Sequence, residues 1–319
     1  SQGNYLNIYS ELAIQSKSFD EAILHIKKLI SENGDSNDFQ AKLGVLYHAS
    51  GESEIGKNIL RDLFDRKELS AQYSLTLFEI YLDSKDNISA AKISDEMITA
   101  FPEDWRGYYS RSLVYMDEND HKSIVSILDP ISETFSNIFS IQYILGLSYS
   151  RIKMNDEAIN FYNRALSIRP NSINVLHSMA ILYDEIGEWL KSDKIYDQLI
   201  KNNPSDAQAF NNYAYSLVER NKKLDEALMF AKKAIELEPK NPSYLDTIGW
   251  VYFKMNDIKR ARRFIEESIN IQGDNAVVLE HLGDILMKSN DSVNALVFYK
   301  KAYQFDKQNS QLKKKAFPD

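Results

Sequence analysis

Cysteine is absent from the 319-residue chain, which removes disulfides, zinc–thiolate sites and thiol catalysis and leaves the redox compartment open. Glycine and proline are scarce, at 11 and 7 residues, too few for a collagen-like or low-complexity chain. No apolar run approaches the length of a bilayer span. The opening Ser1-Gln2-Gly3-Asn4 has neither a basic nor an apolar targeting stretch, so a signal or lipid anchor is expected to be missing from these residues. Positive charge is also in deficit, with 38 Lys and Arg against 46 Asp and Glu and a formal net charge of -8. Nucleic acid and anionic membrane need clustered cations, so basic or apolar partners are favoured instead. What is present, 44% hydrophobic and 26% charged residues, suits a folded chain with a substantial core.

Tyrosines stand at 47, 81, 115, 149 and 183, each 34 residues after the last, which is the period of a helix-turn-helix repeat. Pro102, Pro170, Pro204 and Pro239 form a second series where helices must stop. Ala22, Gly56, Ala90, Ala158, Ser192, Ala227, Ala261 and Ala295 form a third, marking close approach between helices, and Ile124 interrupts it. These series predict a single array of nine units: 3–36, 37–70, 71–104, 105–138, 139–172, 173–206, 207–241, 242–275 and 276–309, with a capping helix and tail over 310–319. Each unit is expected to hold two amphipathic helices. In the fifth, Leu145, Gly146 and Tyr149 share a face, Asn155 and Asp156 turn the chain, and Ala158, Tyr162 and Ala165 line the second helix. Pro130 falls inside a second helix and predicts a distorted fourth unit.

The series Leu145-Gly146-Tyr149-Ala158-Tyr162-Ala165-Pro170, and Leu245-Ile248-Gly249-Tyr252-Ala261 three units on, resembles the tetratricopeptide repeat. Phe78, where a small residue is usual, and Ile124 depart from it. The resemblance implies an all-α, right-handed superhelical solenoid of about nine repeats. A finer resemblance, carried by Asn211-Asn212-Tyr213-Ala214-Tyr215, Asp246-Thr247-Ile248-Gly249-Trp250-Val251 and Glu280-His281-Leu282-Gly283-Asp284, is to bacterial envelope lipoproteins of the processing-protease adaptor type. It implies a periplasmic or outer-membrane setting, with a cytoplasmic one as the alternative, and a processing protease or envelope protein as partner.

Chemistry-bearing motifs are weak. Gly51-Glu52-Ser53-Glu54-Ile55-Gly56-Lys57-Asn58 lacks the hydroxyl that holds magnesium in a P-loop and follows a helical pattern, so no nucleotide is expected. His25, His48, His121, His177 and His281 are scattered, so neither a metal nor any cofactor is expected. The acidic residues form no catalytic constellation, and the recurrent tyrosines are expected to be core.

The resemblance places the second, fifth, sixth, ninth, twelfth and thirteenth residue of each repeat on a concave groove. The ninth positions of units four to eight, Leu113, Leu147, Ile181, Tyr215 and Trp250, give an apolar line that packing between repeats does not require. Tyr109, Tyr143 and Phe253 extend it, Asn211 and Asn212 are suited to peptide backbone, and Asp246 belongs to an acidic rim with Glu11, Asp184, Glu219, Glu280 and Asp284. Lys and Arg that would grip a terminal carboxylate are missing from this pattern. The expected role is a non-catalytic scaffold or adaptor for a protein or peptide with apolar anchors and basic flanks, without nucleic acid or nucleotide. The alternatives are a regulatory or carrier part of a larger protein, a self-assembling structural protein, and a stripe covered by the chain itself or by a terminal helix.

Overall fold

A computed structural model of the chain describes residue 12 and residues 15–318, so most of the leading half of the first repeat, with Glu11, lies outside the described residues. Every helix longer than one turn alternates in the manner that the 34-residue period dictates. The order is α1 (Phe19–Asn33), α2 (Asn37–Ala49), α3 (Ser53–Asp65), α4 (Ala71–Asp83), α5 (Asn87–Ala100), α6 (Trp105–Asp117), α7 (His121–Leu128), α8 (Phe139–Arg151) and α9 (Asn155–Ile168). Then follow α10 (Ile173–Glu185), α11 (Trp189–Asn202), α12 (Ala207–Glu219), α13 (Leu224–Leu237), α14 (Pro242–Lys254), α15 (Ile258–Ile271), α16 (Ala276–Lys288), α17 (Ser292–Phe305) and α18 (Ser310–Ala316). Among the described residues there is no strand, and the chain is an all-α repeat solenoid. It divides into two units, Ser1–Pro170 and Asn171–Asp319.

The turn inside each repeat is made by one residue in the left-handed region, two residues after the first helix ends. These are Gly51, Lys85, Asn119, Lys153, Gly187, Asn221, Asn256 and Asn290, with φ between 51° and 95°. Glycine and asparagine take this conformation most cheaply, which explains most of the choices. The fifth repeat therefore turns at Lys153 rather than at Asn155 and Asp156, which open α9. The extra residue of the seventh repeat is taken up in its turn, where Lys223 is a second left-handed residue before α13. Pro102, Pro170, Pro204 and Pro239 each follow a second helix by two residues, where no further main-chain N–H is called for.

Four second helices carry the same cap. The side chains of Asp86, Asp120, Asp257 and Asp291 accept the N–H groups of Ser89, Ser123, Arg260 and Asn294. These hydrogen bonds, with those from the Ser89, Ser123, Arg260 and Asn294 side chains, hold all four carboxyls below the ordinary carboxylate range. A depressed folded-state pKa contributes stability above the unfolded value of about 4 and loses it as pH falls through the folded value. The melting temperature is therefore expected to drop below about pH 4, and Asp86→Asn, which keeps the cap but does not titrate, should flatten that drop. An unchanged acid slope in the variant contradicts the assignment.

Packing within a repeat is keyed by residue size. Gly44, Gly146, Gly249 and Gly283 face the bulky residue sixteen positions on, and a Cβ would meet Leu60 at 2.8 Å, Tyr162 at 2.5 Å, Ile265 at 2.8 Å and Tyr299 at 2.4 Å. In the third repeat the key is reversed: Phe78 occupies the small position, Ser94 the large one, and both are fully buried. This accounts for the departure at Phe78. Ala22, Ala90, Ala158, Ser192, Ala227, Ala261 and Ala295 are all at 0% exposure, as close helix approach requires, and Ile124 is too. The fourth repeat is distorted where Pro130 predicts it: α7 stops at Leu128 and a 3-10 turn, Asp129–Ile131, follows. Buried Gln142 of α8 secures that segment by donating to the carbonyls of Ser132 (3.1 Å) and Phe135 (3.2 Å). The recurrent tyrosines are not uniformly core. Tyr149 and Tyr183 are buried, whereas Tyr47, Tyr81 and Tyr115 are half-buried, and Lys27, Arg111 and Lys191 lie over the rings of Tyr47, Tyr115 and Tyr183.

Candidate functional site

In the Asn171–Asp319 unit the first helices α10, α12, α14 and α16 pack in succession. Spacing by four puts Asn211, Tyr215 and Glu219 on one face of α12, Asp246, Trp250 and Lys254 on one face of α14, and Glu280, Asp284 and Lys288 on one face of α16.

The carboxylates of this face bind forward, each to the repeat that follows. Asp184 accepts from Ser216 at 2.7 Å, besides Ser192 at 2.5 Å and the Tyr196 hydroxyl at 3.1 Å. Glu219 accepts the indole N–H of Trp250 at 2.6 Å. Asp246 meets Nδ1 of His281 at 2.8 Å. Lys315 of α18 donates to Glu280 at 2.8 Å and to both oxygens of Asp284, at 2.7 Å and 2.9 Å, while its ammonium sits 5.4 Å from the centre of the Tyr299 ring. Charge-assisted hydrogen bonds of this length are stronger than neutral ones, so these clasps fix neighbouring first helices in register.

Trp250 is locked into that series. Its ring stacks on His281, with centroids 3.9 Å apart, and on Phe253 at 4.8 Å, and the Lys254 ammonium lies 4.8 Å from its centre. Only 7% of the residue is exposed. The expectation that the ninth-position line is free of packing between repeats therefore fails at Trp250, because its ring bridges α12, α14 and α16. Asn211 and Asp246 are buried as well, and Asn212 and Phe253 are half-buried. Ile181, at 40%, and Tyr215, at 36%, are the members of the line in this unit that present substantial surface. Burial, then the negative field of Glu219, Asp246 and Glu280, pushes the Tyr215 phenol well above its ordinary range, so it remains a neutral donor. Asn211 donates to Asn212 at 3.3 Å, while its buried Oδ1 accepts from no described residue.

In the Ser1–Pro170 unit, Tyr109, Leu113, Tyr143 and Leu147 are half-buried. Tyr109 meets Trp105 edge-on at 5.6 Å, and Tyr143 stacks on Phe139 at 5.9 Å. Burial and then Asp83 raise the carboxyl of Glu79, and burial and then Glu79 raise the phenol of Tyr109. Asp38 pairs with Lys42 and accepts from the Tyr73 hydroxyl of the next repeat at 3.2 Å.

The motifs set aside in the sequence have structural roles. Gly51 makes a turn at φ 95°, Gly56 lies in α3 against the Gly44 carbonyl, and Lys57 pairs with Glu54 at 2.6 Å. Among the described residues no group of three or more His, Asp or Glu is placed to hold a metal ion. No described helix is long and apolar enough to cross a membrane.

Family models for the tetratricopeptide repeat match residues 139–172 and 242–275, and residues 178–242. Residues 139–172 and 178–275 are thus tetratricopeptide repeats. It is similar to a TPR repeat-containing protein of Pseudomonas aeruginosa, 28% identical over 94 residues, which covers 30% of this chain and 16% of that protein. A TPR repeat-containing protein of Methanocaldococcus jannaschii is 24% identical over 193 residues, 56% of this chain and 33% of that one. The chain thus spans a third or less of these relatives' lengths. A tetratricopeptide repeat protein from Parabacteroides merdae superimposes with a TM-score of 0.68 at 16% identity, over 77% of this chain and 97% of its own. Tetratricopeptide repeat proteins generally bind other proteins and scaffold complexes, and the fold is typically non-catalytic. The forward partners Ser216, His281 and Lys315 escaped sequence reasoning. The signal was there, as a polar or aromatic residue 31 to 35 positions after an acidic one on a first helix.

Proposed function

We propose that this tetratricopeptide chain is a non-catalytic scaffold or adaptor whose first-helix face in the Asn171–Asp319 unit docks a partner protein presenting apolar and basic side chains. The supporting observation is the pairing of exposed Ile181 and Tyr215 with carboxylates whose own partners are mostly neutral: hydroxyls for Asp184 and an indole for Glu219. A neutral donor brings no opposite charge to a carboxylate, and apolar surface beside it favours a partner that brings both kinds of group. Trp250, Asp246 and Asn211 form the supporting layer of this face, with Phe253 and Asn212 at its edge. Tyr109, Leu113, Tyr143 and Leu147 form the corresponding face of the other unit. A processing protease or another envelope protein with a basic, apolar segment belongs to the partner class, and a periplasmic or outer-membrane setting goes with it.

The test is affinity capture from the native organism with the parent chain and with Ile181→Glu or Tyr215→Ala, followed by mass spectrometry and binding of the purified candidate. Both substitutions lie on exposed side chains, so helicity should hold while capture falls at least about tenfold, as for an interface anchor. Candidates retained equally by all three proteins would place the docking surface elsewhere.

A further inference from the structure

The same face carries its own example of a ligand. Lys315 reaches from α18 onto first-helix carboxylates of the preceding repeat, Glu280 and Asp284, with its ammonium over the Tyr299 ring. Lys254 similarly lies over Trp250. The fold thus seats one ammonium between an aromatic face and two carboxylates, and a second over an indole ring. On α12, Tyr215 exposes its ring one turn before Glu219, whose carboxylate receives an indole N–H and, among the described residues, no cation.

Resting on the docking face proposed above, we infer that an extended segment of the partner lays a lysine or arginine side chain over Tyr215 beside Glu219. Tyr215 and Glu219 are spaced by four, so the side chain meets an aromatic ring and then a carboxylate on one helix face. A divalent metal is a poor occupant, since the carboxylates hold separate partners on successive helices and do not converge. An acidic segment would meet Glu219, Asp246 and Glu280 together. A long side chain with a terminal cation fits both the ring and the charge.

The probe is a set of short capped peptide pools, degenerate except for one fixed central residue: lysine, arginine, norleucine or glutamate. Binding to the full chain is followed by fluorescence anisotropy. The lysine and arginine pools should bind about tenfold tighter than norleucine, with glutamate weakest. Glu219→Gln keeps an acceptor for the Trp250 indole, and hydrogen exchange of α12 and α14 verifies its fold. It should erase the basic preference while norleucine binding stays the same. Equal binding of all pools, or a basic preference that survives Glu219→Gln, overturns the inference and leaves the docking face standing. Failure of every pool to bind overturns both.

Discussion

Trp250→Ala is expected to destabilise the Asn171–Asp319 unit by about 3–5 kcal/mol, the cost of emptying a packed aromatic site. The residue is 93% removed from solvent by its 7% exposure, and its loss unstacks His281 and Phe253 and strips Glu219 of its 2.6 Å donor. Repeat arrays distribute stability between neighbours, so amide exchange should accelerate in α12, α14 and α16 before it does in α10. Trp250→Phe keeps a ring and loses the indole bond, and should cost about 1.5–3 kcal/mol, the range for a hydrogen bond to a charged group. Denaturant unfolding with exchange mass spectrometry measures both. A Trp250→Ala protein that melts like its parent would return this residue to the role of a free groove anchor. The same result bears on function, since a binding defect in Trp250→Ala carries no information about contact with a partner unless the fold is shown to persist.

An equally large effect is expected where residue size keys a repeat. Gly146→Phe drives a ring into the space of Tyr162, whose Cδ1 lies only 2.5 Å from a Cβ built on the glycine. Overpacking typically costs about 1–3 kcal/mol, and a substitution of this size should reach or exceed the upper end. Adding Tyr162→Ser recreates the order seen at Phe78 and Ser94 and should recover a good part of the loss. The pair is thus strongly non-additive, whereas independent sites add. Equilibrium unfolding of the parent, the two single variants and the double variant decides the matter. Purely additive losses would mean that Phe78 is accommodated by something other than Ser94.

The fold was legible because three residue series share one period, and each has a physical cause: a proline cannot continue a helix, a small residue permits close approach, and an aromatic fills the gap beside it. Left-handed residues formed a fourth series that glycine and asparagine only half disguise, since Lys85 and Lys153 hold the same conformation without a propensity for it. The candidate site was legible as a list of positions and not as a set of exposures. Ile181, Tyr215 and Trp250 occupy equivalent places, yet only Trp250 meets both a carboxylate behind it and a flat imidazole ahead of it. Exposure at such a position depends on which residue the next repeat supplies, and a pattern read within one repeat misses this. At Glu280 and Asp284 the terminal helix α18 reaches the acidic part of the face, where Lys315 settles.

The forward clasps have an evolutionary consequence. Each core key, such as Gly283 with Tyr299, is contained within one repeat, so a repeat can be duplicated, moved or lost as a self-sufficient block. The clasps are shared across the joint: Asp184 needs the hydroxyl of Ser216, Glu219 the indole of Trp250, Asp246 the imidazole of His281. Excising the block 242–275 would bring Asp284 to the place of Trp250, set a second carboxylate against Glu219 and leave every interior key intact. Hydrophobic packing is indifferent to the sequence of blocks, and the polar joints act as addresses. Shuffling this unit by recombination should therefore yield folded but loosened arrays, and the parental order is the one in which each carboxylate finds its correspondent.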